Sequence, residues 1–355
     1  MDNKPKYQLI KEKIMDKIRA GEYLIGDKLP SESELQKQYN VSRHTIRVAL
    51  EQLEHEGVIE KEHGLGSFVK KEQKEGNKTI GVITTYMSDY IFPEIIRGIE
   101  SELTKSNYSM LLVNTNNDTE IERKALNMML ENNVEGVIIE PTKSAFYNPN
   151  LDLYLTFKNN NIPVILINTN LDEVEFPSIK IDDIMASYRN TEFLIENNHH
   201  DIGAVFKLDD RQGKDRLKGF VQAISDYGLS YKNENIIMYT TENRDDILPY
   251  AVENLLLKKE ISAIVCYNDI IALDVLNFCL SKGIRVPNDL SIVSFDNSIL
   301  TMLSTIKITS ISHPQTALGI DAARNIMKMV EDKSFKFEGI LYPVNLDIKE
   351  SVKKI

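Results

Sequence analysis

A short segment near the start of the chain carries basic side chains without any acidic neighbour. Between Gln36 and Leu50 the sequence contains Lys37, Arg43 and Arg47 but no Asp or Glu. A guanidinium can donate two parallel hydrogen bonds to O6 and N7 of guanine, and nearby hydroxyls suit phosphate oxygens. The segment therefore has the chemistry of a surface that reads double-stranded DNA.

A second set of polar and aromatic side chains follows runs of aliphatic residues later in the chain. Carboxylates, carboxamides and guanidinium groups can hold adjacent sugar hydroxyls with paired hydrogen bonds, and an aromatic ring can cover the apolar face of a sugar. Because the chain contains no Trp, Phe92 or Tyr90 must supply that ring. The candidate carbohydrate site consists of Tyr86, Asp89, Tyr90, Phe92, Glu140, Lys143, Asn168, Arg216, Asn268, Asp296 and His313.

Three helices and a hairpin are predicted in the first 70 residues, where they would present the basic segment. Apolar residues at helical spacing from Leu9 to Ile18 indicate the first helix. Ser31 and Glu34 have the spacing of a capping box, which opens a second, short helix that ends near Asn40.

The third predicted helix begins at the basic segment and is followed by a glycine-tipped hairpin. Ser42 is its expected N-cap, and Gly57 closes it. In a helix-turn-helix the first residues of the second helix lie nearest the base edges, and tip glycines let the backbone approach the duplex. An ordinary interaction module is the alternative, but the acid-free helix and the hairpin together favour DNA. The expected contacts are Ser42, Arg43, His44, Thr45, Arg47, His63, Gly64 and Gly66.

The rest of the chain alternates buried strands with helices. Aliphatic runs from Ile80–Thr84 to Ser291–Phe295 are nearly continuous in Val, Ile and Leu, as in parallel strands covered on both faces. Eight such runs exceed one six-stranded sheet, so we expect two α/β lobes. In open α/β sheets a ligand binds beyond the carboxyl ends of the strands, which is where the candidate sugar residues fall.

A polar segment separates these two parts. From Lys70 to Lys78 the sequence has no apolar residue, which is typical of a solvated linker. We therefore predict a DNA-binding domain over residues 1–70, a linker over residues 71–78 and a two-lobed, dimerising ligand domain over residues 79–355. The length of 355 residues fits two or three domains.

The charge is divided unevenly between the parts. Residues 1–75 hold 14 basic and 14 acidic residues, so the net charge of −11 belongs entirely to the remainder. A local basic segment within a neutral head is compatible with DNA binding in spite of the acidic total.

Location and redox state follow from what the sequence contains. The apolar runs are shorter than the roughly 20 residues that a membrane span needs, and no secretory signal opens the chain. Cys266 and Cys279 match no metal-ligand spacing and are expected to be reduced core residues. We expect a cytoplasmic protein without a membrane, metal or cofactor.

The first part resembles the N-terminal domain of GntR-family repressors. The resemblance lies in LPSESEL at Leu29–Leu35 and in VSRHTIRVALEQLEHEGVIEKEHGLGSFV at Val41–Val69. It implies a winged helix-turn-helix whose wing is the hairpin. It also implies contacts from Glu32, as an acceptor for cytosine or as a partner that orients an Arg, and from Lys6 on a phosphate.

The second part resembles the sensor domain of LacI/GalR repressors and the related periplasmic sugar-binding proteins. The matching stretches include RLKGF at Arg216–Phe220, AIVCYNDIIALDVL at Ala263–Leu276 and TSISHP at Thr309–Pro314. The resemblance implies a type I, two-lobed sensor that pairs as a homodimer. It places sugar contacts on Asp89, Phe92, Lys143, Arg216, Asn268, Asp296 and His313.

The identity of the effector follows from resemblance alone. The stretches Thr84–Glu100 and Glu140–Ser144 resemble those of repressors that respond to arabinose, which implies L-arabinose. Another pentose, a hexose or a sugar phosphate is the alternative. LacI repressors join their two domains through a hinge helix that binds DNA, and the polar linker of this chain differs from that helix. The hinge-helix mechanism is therefore not expected here.

Catalysis is not expected. Asp182–Asp183, Asp209–Asp210 and His199–His200 are adjacent pairs, and neighbouring side chains on an extended strand point to opposite faces. No phosphate-binding loop, zinc-protease motif or nucleophile elbow is present. The hypothesis is a homodimeric repressor that leaves its operator when sugar binds. A sugar-binding module with a vestigial DNA head is the alternative from another class.

Overall fold

The computed structural model describes residues 5–19, 21–24, 26–55, 57–62, 65–70, 78–88, 91–258 and 260–355. The chain divides into two compact units, Met1–Asn77 and Lys78–Ile355. Four predicted contact residues, His63, Gly64, Asp89 and Tyr90, lie outside the described residues, as do residues 71–77 of the predicted linker. No helix within the described ranges is long and apolar enough to cross a lipid bilayer.

The first unit contains the three predicted helices and the predicted hairpin. The two strands of the hairpin are antiparallel, with Ile59 opposite Val69 and Glu62 opposite Gly66. The elements are α1 (Lys6–Arg19), α2 (Glu32–Tyr39), α3 (Arg43–His55), β1 (Ile59–Glu62) and β2 (Gly66–Val69).

Local hydrogen bonds explain where α2 and α3 begin and end. The Ser31 Oγ accepts the Glu34 N–H at 3.3 Å, and the Glu34 carboxylate accepts the Ser31 N–H at 2.7 Å. Asn40 takes a left-handed conformation (φ 50°) at the end of α2. Ser42 Oγ then accepts the Thr45 N–H at 3.2 Å in the first turn of α3. The predicted capping box, turn and N-cap are confirmed.

A small apolar core holds the first unit together. Ile14 of α1, Leu35 of α2, and Ile46 and Leu53 of α3 are buried, and Ile59 and Val69 join them from the hairpin. Because each helix contributes one apolar stripe, the polar face of α3 remains at the surface.

The second unit contains two six-stranded sheets, one in each lobe. In lobe 1 the strand order is β13-β7-β6-β5-β3-β4, and all pairs are parallel. These strands are β3 (Thr79–Thr84), β4 (Ser109–Asn114), β5 (Gly136–Ile139), β6 (Val164–Ile167), β7 (Ser178–Ile181) and β13 (Ile340–Tyr342).

Lobe 2 has the order β14-β12-β11-β10-β8-β9, in which only β14 is antiparallel to its neighbour among the described strands. Its strands are β8 (Ile202–Lys207), β9 (Ile236–Tyr239), β10 (Ala263–Cys266), β11 (Ser291–Asp296), β12 (Thr309–Ser312) and β14 (Leu346–Asp347). The predicted α/β class with two parallel sheets is confirmed. The sequence analysis did not identify β7, β13 and β14, which are short or half-exposed.

Helices cover the faces of both sheets. Those of lobe 1 are α4 (Phe92–Lys105), α5 (Thr119–Glu131), α6 (Leu151–Asn159) and α12 (Gln315–Glu331). Those of lobe 2 are α7 (Asp183–Glu196), α8 (Arg211–Asp226), α9 (Arg244–Leu257), α10 (Asp269–Ser281) and α11 (Ile299–Leu303), with a short 3-10 helix at Asn233–Asn235.

The chain passes between the lobes three times. It leaves β7 of lobe 1 for α7 of lobe 2, returns after β12 to α12 of lobe 1, and passes from β13 to β14 of lobe 2. All three crossovers connect the same edge of each sheet, whereas β4 and β9 form the opposite edges. The carboxyl ends of the parallel strands meet between the lobes.

Helices α4 and α12 cross closely because glycines lie at their contact. A Cβ atom built on Gly319 would lie 2.1 Å from the carbonyl oxygen of Ile95, and one on Gly98 would lie 2.5 Å from that of Thr316. Both distances are far below van der Waals contact, so neither position accepts a larger residue without displacing a helix backbone.

We therefore predict that Gly319→Ala destabilises the protein by about 2 kcal/mol or more, because the added methyl group overpacks the helix contact. Urea unfolding of the full chain measures the change. The matched control is Ala317→Ser, which adds one atom at an exposed position of the same helix. An unchanged unfolding midpoint for Gly319→Ala would contradict the close crossing.

Candidate functional site

The N-terminus of α3 exposes its basic residues. The side chains of Arg43 and Arg47 are 72% and 66% exposed, and His44 is exposed between them. Arg43 Nε donates to Glu32 Oε2 at 3.0 Å, and Arg47 Nε donates to Glu51 Oε1 at 3.2 Å. Exposed pairs of this kind contribute little stability, so DNA can displace the carboxylates at small cost.

The other predicted DNA contacts flank this surface. Glu32 begins α2 and accepts the hydrogen bond from Arg43, and its role toward DNA stays a prediction. Lys6 is exposed in the first turn of α1, and Gly66 is exposed at the start of β2 with φ +118°. Thr45 is half-buried, and its hydroxyl lies 2.8 Å from that of Ser42. The helix and the hairpin therefore present basic, hydroxyl and backbone groups.

A cavity of about 240 Å³ lies between the two lobes, at the carboxyl ends of the strands. Lobe 1 contributes mainly aromatic and amide groups, and lobe 2 contributes mainly charged groups. The polar and aromatic lining consists of Thr85, Tyr86, Phe92, Glu140, Asn168, Asp183, Lys207, Asp210, Gln212, Arg216, Tyr239, Thr241, Arg244, Asp245, Tyr267, Asn268, Asp296 and His313.

A buried guanidinium lies on the lobe 2 side of the cavity. Arg216 is 4% exposed and donates to Asp183 Oδ1 at 2.8 Å, to the Tyr267 carbonyl at 2.6 Å and to Asp296 Oδ1 at 3.2 Å. Its guanidinium also covers the Phe295 ring at 4.4 Å. Burial raises the pKa of Asp183 to about 6, although the Arg216 charge opposes that shift. The carboxylates and the guanidinium are fixed before any ligand arrives.

A second charged pair lies near the end of β8. Lys207 Nζ donates to Asp210 Oδ2 at 2.7 Å, and the Tyr267 hydroxyl donates to the same oxygen at 3.0 Å. Burial disfavours the Lys207 charge, but Asp210, Tyr86 and Asp209 more than compensate and raise the pKa of Lys207. The ammonium lies 5.8 Å from the Tyr86 ring centroid. The lobe 2 side of the cavity therefore has a second ionic group, separate from the Arg216 cluster.

A hydrogen-bonded chain joins lobe 1 to a crossover. Asn168 Nδ2 donates to Glu140 Oε1 at 2.7 Å, and His313 Nε2 lies 3.0 Å from Asn168 Oδ1. Because that oxygen can only accept, Nε2 carries the proton. Desolvation lowers the pKa of His313 to about 4, so the ring is neutral at pH 7. Its Nδ1 atom is buried and has no hydrogen-bond partner in the described part of the chain.

This architecture matches known families over nearly the whole chain. Residues 77–350 match the family of periplasmic binding proteins and the sugar binding domain of the LacI family. Residues 6–69 match the gntR family of bacterial regulatory proteins. The chain belongs to the family of periplasmic binding proteins and LacI-type sugar binding domains, and it carries a gntR-type head.

Individual relatives match the chain over most of its length. The chain is 40% identical to the arabinose metabolism transcriptional repressor of Geobacillus stearothermophilus, over 99% of this chain and 98% of that protein. It is 39% identical to the repressor of the same name from Halalkalibacterium halodurans, over 98% of this chain and 96% of that protein. The crystal structure of the transcription regulator CcpA of Lactococcus lactis covers 78% of this chain and all of that one, with 26% identity and a TM-score of 0.69.

The predicted family resemblances and the predicted class of sugar-responsive transcriptional repressor are confirmed by these matches. Within the sensor, eight of the eleven candidate residues line the cavity: Tyr86, Phe92, Glu140, Asn168, Arg216, Asn268, Asp296 and His313. Phe92 begins α4 and packs edge-on against Tyr86, with ring centroids 6.1 Å apart. Asn268 caps α10 by accepting the Ile271 N–H at 3.0 Å. Their roles as sugar contacts remain predictions.

The Lys143 side chain lies outside the cavity in which the sequence predicted it. Its side chain forms an ion pair with Glu242 of lobe 2 and does not line the cavity. The cause is local, because Lys143 has φ +46° and its N–H donates to Asn117 Oδ1 at 2.9 Å, which sets the course of the loop. This arrangement does not support the predicted sugar contact of Lys143.

Sequence reasoning missed several cavity residues of the LacI-family sensor. Asp183 and Asp210 were considered only as members of paired acids, and Lys207, Tyr239 and Tyr267 were not singled out. The available signal was the strand-end rule itself, since Asp183 follows β7 and Asp210 follows β8. No cluster of three or more potential metal ligands occurs among the residues that the structure describes.

The buried carboxyl of Glu140 gives the LacI-family sensor a pH-dependent stability. Burial raises the pKa of Glu140 to about 7, although its hydrogen bonds to Thr85 and Asn168 oppose the shift. Because the pKa of Glu140 is higher in the folded than in the unfolded protein, its protonated carboxyl contributes its full stabilisation at pH values below the unfolded pKa. This stabilisation is lost as the pH rises through 7.

We predict that Glu140→Gln reduces the difference in unfolding free energy between pH 5 and pH 8 by roughly 2–3 kcal/mol, because it removes the titrating group. Urea unfolding without sugar at both pH values is the measurement. The control Glu173→Gln, at an exposed position, should keep the difference of the unmodified protein. If Glu140→Gln also keeps the pH difference of the unmodified protein, that difference does not come from the Glu140 carboxyl.

Proposed function

We propose that the protein represses transcription by binding operator DNA as a homodimer, and that L-arabinose releases it by occupying the cleft between the lobes. One observation carries the proposal: a single chain combines an exposed basic helix terminus with a buried polar cleft. The names of the two relatives with 40% and 39% identity support both the repressor role and the effector.

The charges in the cavity favour an uncharged sugar over a sugar phosphate. Each basic residue that the structure describes in the lining is paired with a carboxylate: Lys207 with Asp210, Arg216 with Asp183 and Asp296, and Arg244 with Asp274 of α10. A phosphate would have to break these pairs and lie beside the carboxylates. Sugar hydroxyls, by contrast, can donate to the carboxylates and accept from the cations.

The proposed sugar contacts are Phe92, Arg216, Asn268, Asp296 and His313, joined by Asp183 and Lys207. The Phe92 ring would cover the apolar face of the sugar, and the buried His313 Nδ1 would accept a hydroxyl. A ligand that lacks one of these hydroxyls leaves a buried group unpaired, and this penalty is the source of selectivity.

The proposed DNA contacts are Arg43, His44 and Arg47 in the major groove, with Ser42, Thr45, Lys6 and the wing on the backbone. Two heads would read two half-sites, which requires the homodimer. We assign residues 1–70 to the DNA domain, 71–78 to the linker and 79–355 to the sensor. The protein acts in the cytoplasm, where it reaches the operator, and the proposal contains no catalytic step.

L-arabinose should weaken operator binding by roughly 5- to 150-fold, the range of ordinary allosteric coupling. Fluorescence anisotropy of labelled operator with and without the sugar measures the effect. If L-arabinose leaves the operator affinity unchanged and another sugar lowers it, that other sugar is the effector. No response to pentoses, hexoses or sugar phosphates would refute the sensor role.

Asp296→Asn should reduce L-arabinose affinity at least about tenfold and abolish release, while repression persists, because it removes one cavity carboxylate without changing the shape of the side chain. Isothermal titration and the operator assay check both effects. The control Asp289→Asn changes an acid that pairs with Arg285 on the surface, and it should leave both measurements unchanged. Normal release in Asp296→Asn would show that the site is misplaced.

Arg43→Lys should weaken specific operator binding by roughly 5- to 150-fold, because lysine keeps the charge but cannot donate bidentately to guanine. Binding to unrelated DNA should change little, and L-arabinose affinity should remain normal. Arg285→Lys, at an exposed position of the sensor, is the control. Full specific affinity in Arg43→Lys would argue that Arg43 contacts only phosphates, whereas a lack of specific operator binding by the unmodified protein would indicate a vestigial head.

A further inference from the structure

The two lobes are joined along the rim of the cleft that lies opposite the three crossovers. This rim is formed where the edge strands β4 and β9 end, since β4 leads into residues 115–118 and β9 into residues 240–243. The loops after β5 and β8 lie beside them. Because the covalent crossovers are at the other edge of each sheet, noncovalent contacts must hold this rim together, and they include a backbone hydrogen bond from the Ala145 N–H to the Asp209 carbonyl at 3.3 Å.

One carboxamide is at the centre of the rim. Asn117 of lobe 1 is 1% exposed, and its Nδ2 donates to Thr241 Oγ1 of lobe 2 at 2.7 Å. The same nitrogen lies 3.2 Å from Asp209 Oδ2 and 3.3 Å from Asp210 Oδ1. Its Oδ1 accepts the Lys143 N–H at 2.9 Å. The Asn117 side chain therefore contacts three residues of the opposite lobe and also fixes a neighbouring loop of its own lobe.

The lobe 2 partners of Asn117 are themselves held in place. Asp209 is fully buried, and its Oδ2 accepts the Thr241 hydroxyl at 2.6 Å and the Thr241 N–H at 3.0 Å. A buried carboxylate needs donors, and Asn117 supplies one from across the cleft. Opening the rim breaks these contacts, and water must then replace Asn117 as a donor to Asp209 and Thr241.

Further contacts join the lobes beside Asn117. The Arg211 N–H donates to Ser144 Oγ at 3.0 Å, and Lys214 Nζ donates to the Ala145 carbonyl at 2.6 Å. Lys143 forms its ion pair with Glu242 at the exposed end of the same rim. These contacts use loop residues 143–145, whose course depends on the bond from Lys143 to Asn117.

The backbone turns sharply at this position. Asn116 and Asn117 have φ values of +51° and +56°, the left-handed region that asparagine adopts more readily than other non-glycine residues. After this turn the Asn117 side chain reaches across the cleft, whereas the Asn116 side chain stays exposed and bonds to Asn114 of its own lobe.

We propose that the Asn117 carboxamide is a latch that holds the two lobes closed at the rim opposite the crossovers, and that it strengthens effector binding without touching the effector. Asn117 does not line the cavity, so its influence on affinity is exerted through the position of the lobes. The affinity for a ligand that requires the closed arrangement falls in proportion to the fraction of molecules that are closed. The effect on effector binding rests on the proposed sugar site, whereas the closure of the lobes by Asn117 does not.

The decisive variant is Asn117→Asp, which keeps the shape and the acceptor for Lys143 but replaces the donor with a charge that faces Asp209 and Asp210. Asn116→Asp is the matched control, because it makes the same change one residue away on a side chain bonded only within lobe 1 in the described structure. Asn117→Gly is the second variant, since glycine accepts the left-handed backbone and removes the donor without adding charge.

The first measurement is the distance between spin labels on the full-length, sugar-free protein. Tyr147 of lobe 1 and Tyr250 of lobe 2 are each 71% exposed and are replaced by cysteine for labelling, while Cys266 and Cys279 are buried. Dilution with unlabelled chain isolates distances within one molecule. We expect longer and broader distances in Asn117→Asp and Asn117→Gly, and unchanged distances in Asn116→Asp. Unchanged distances in both Asn117 variants would overturn the latch.

The second measurement is L-arabinose affinity by isothermal titration. Asn117→Asp should weaken binding roughly tenfold or more, since hydrogen bonds to charged groups are lost and a repulsion is added. Asn116→Asp should remain within about twofold of the unmodified protein. Opened lobes with unchanged affinity would reject the effect on binding. If the unmodified protein does not bind L-arabinose, the proposed effector fails, and the spin-label distances still decide whether the latch exists.

Discussion

The burial of one guanidinium organises the ligand cleft. Arg216 is almost fully enclosed, and a buried charge is tolerated only when it is paired and hydrogen-bonded. Its partners come from the first turn of α7, the end of β10 and the end of β11. Three separate segments must therefore converge on one side chain. The same requirement places carboxylates and carbonyl groups at the carboxyl ends of the strands, where a polyhydroxylated ligand can use them.

The lobes have separate sheets, so their closed arrangement depends on polar groups more than on a continuous core. At the crossover edge, His313 bonds to Asn168 of lobe 1, and at the opposite edge Asn117 bonds to Asp209 and Thr241 of lobe 2. Polar contacts can exchange partners with water when the lobes separate, whereas an apolar interface would lose its burial outright. Polar contacts between the lobes therefore suit a sensor whose lobes separate to admit the ligand and then close around it.

Parallel-strand topology made much of the site predictable from the sequence. The rule that ligands bind at the carboxyl ends of strands located Phe92, Arg216 and Asn268 without coordinates. It failed for Asp183, because β7 reads SIKI, an alternating pattern that lacks the continuous aliphatic character of its neighbours. It also failed for Lys143, since a left-handed backbone and a bond to Asn117 direct that loop toward the rim. Such contacts depend on partners distant in the sequence.

Exposure separates the roles of the two key arginines, although both are paired with carboxylates. The Arg43–Glu32 pair is open to solvent on the arginine side, so it is worth at most about 1 kcal/mol and can be exchanged for a guanine. The Arg216 cluster is buried, and removing the guanidinium would leave the carboxylates of Asp183 and Asp296 uncompensated at a cost of roughly 3–5 kcal/mol. The first arginine is thus free to change partners, and the second is a fixed part of the cleft. The same pairing of an arginine with a carboxylate is exchangeable at one site and fixed at the other, because the fold excludes water from only one of them.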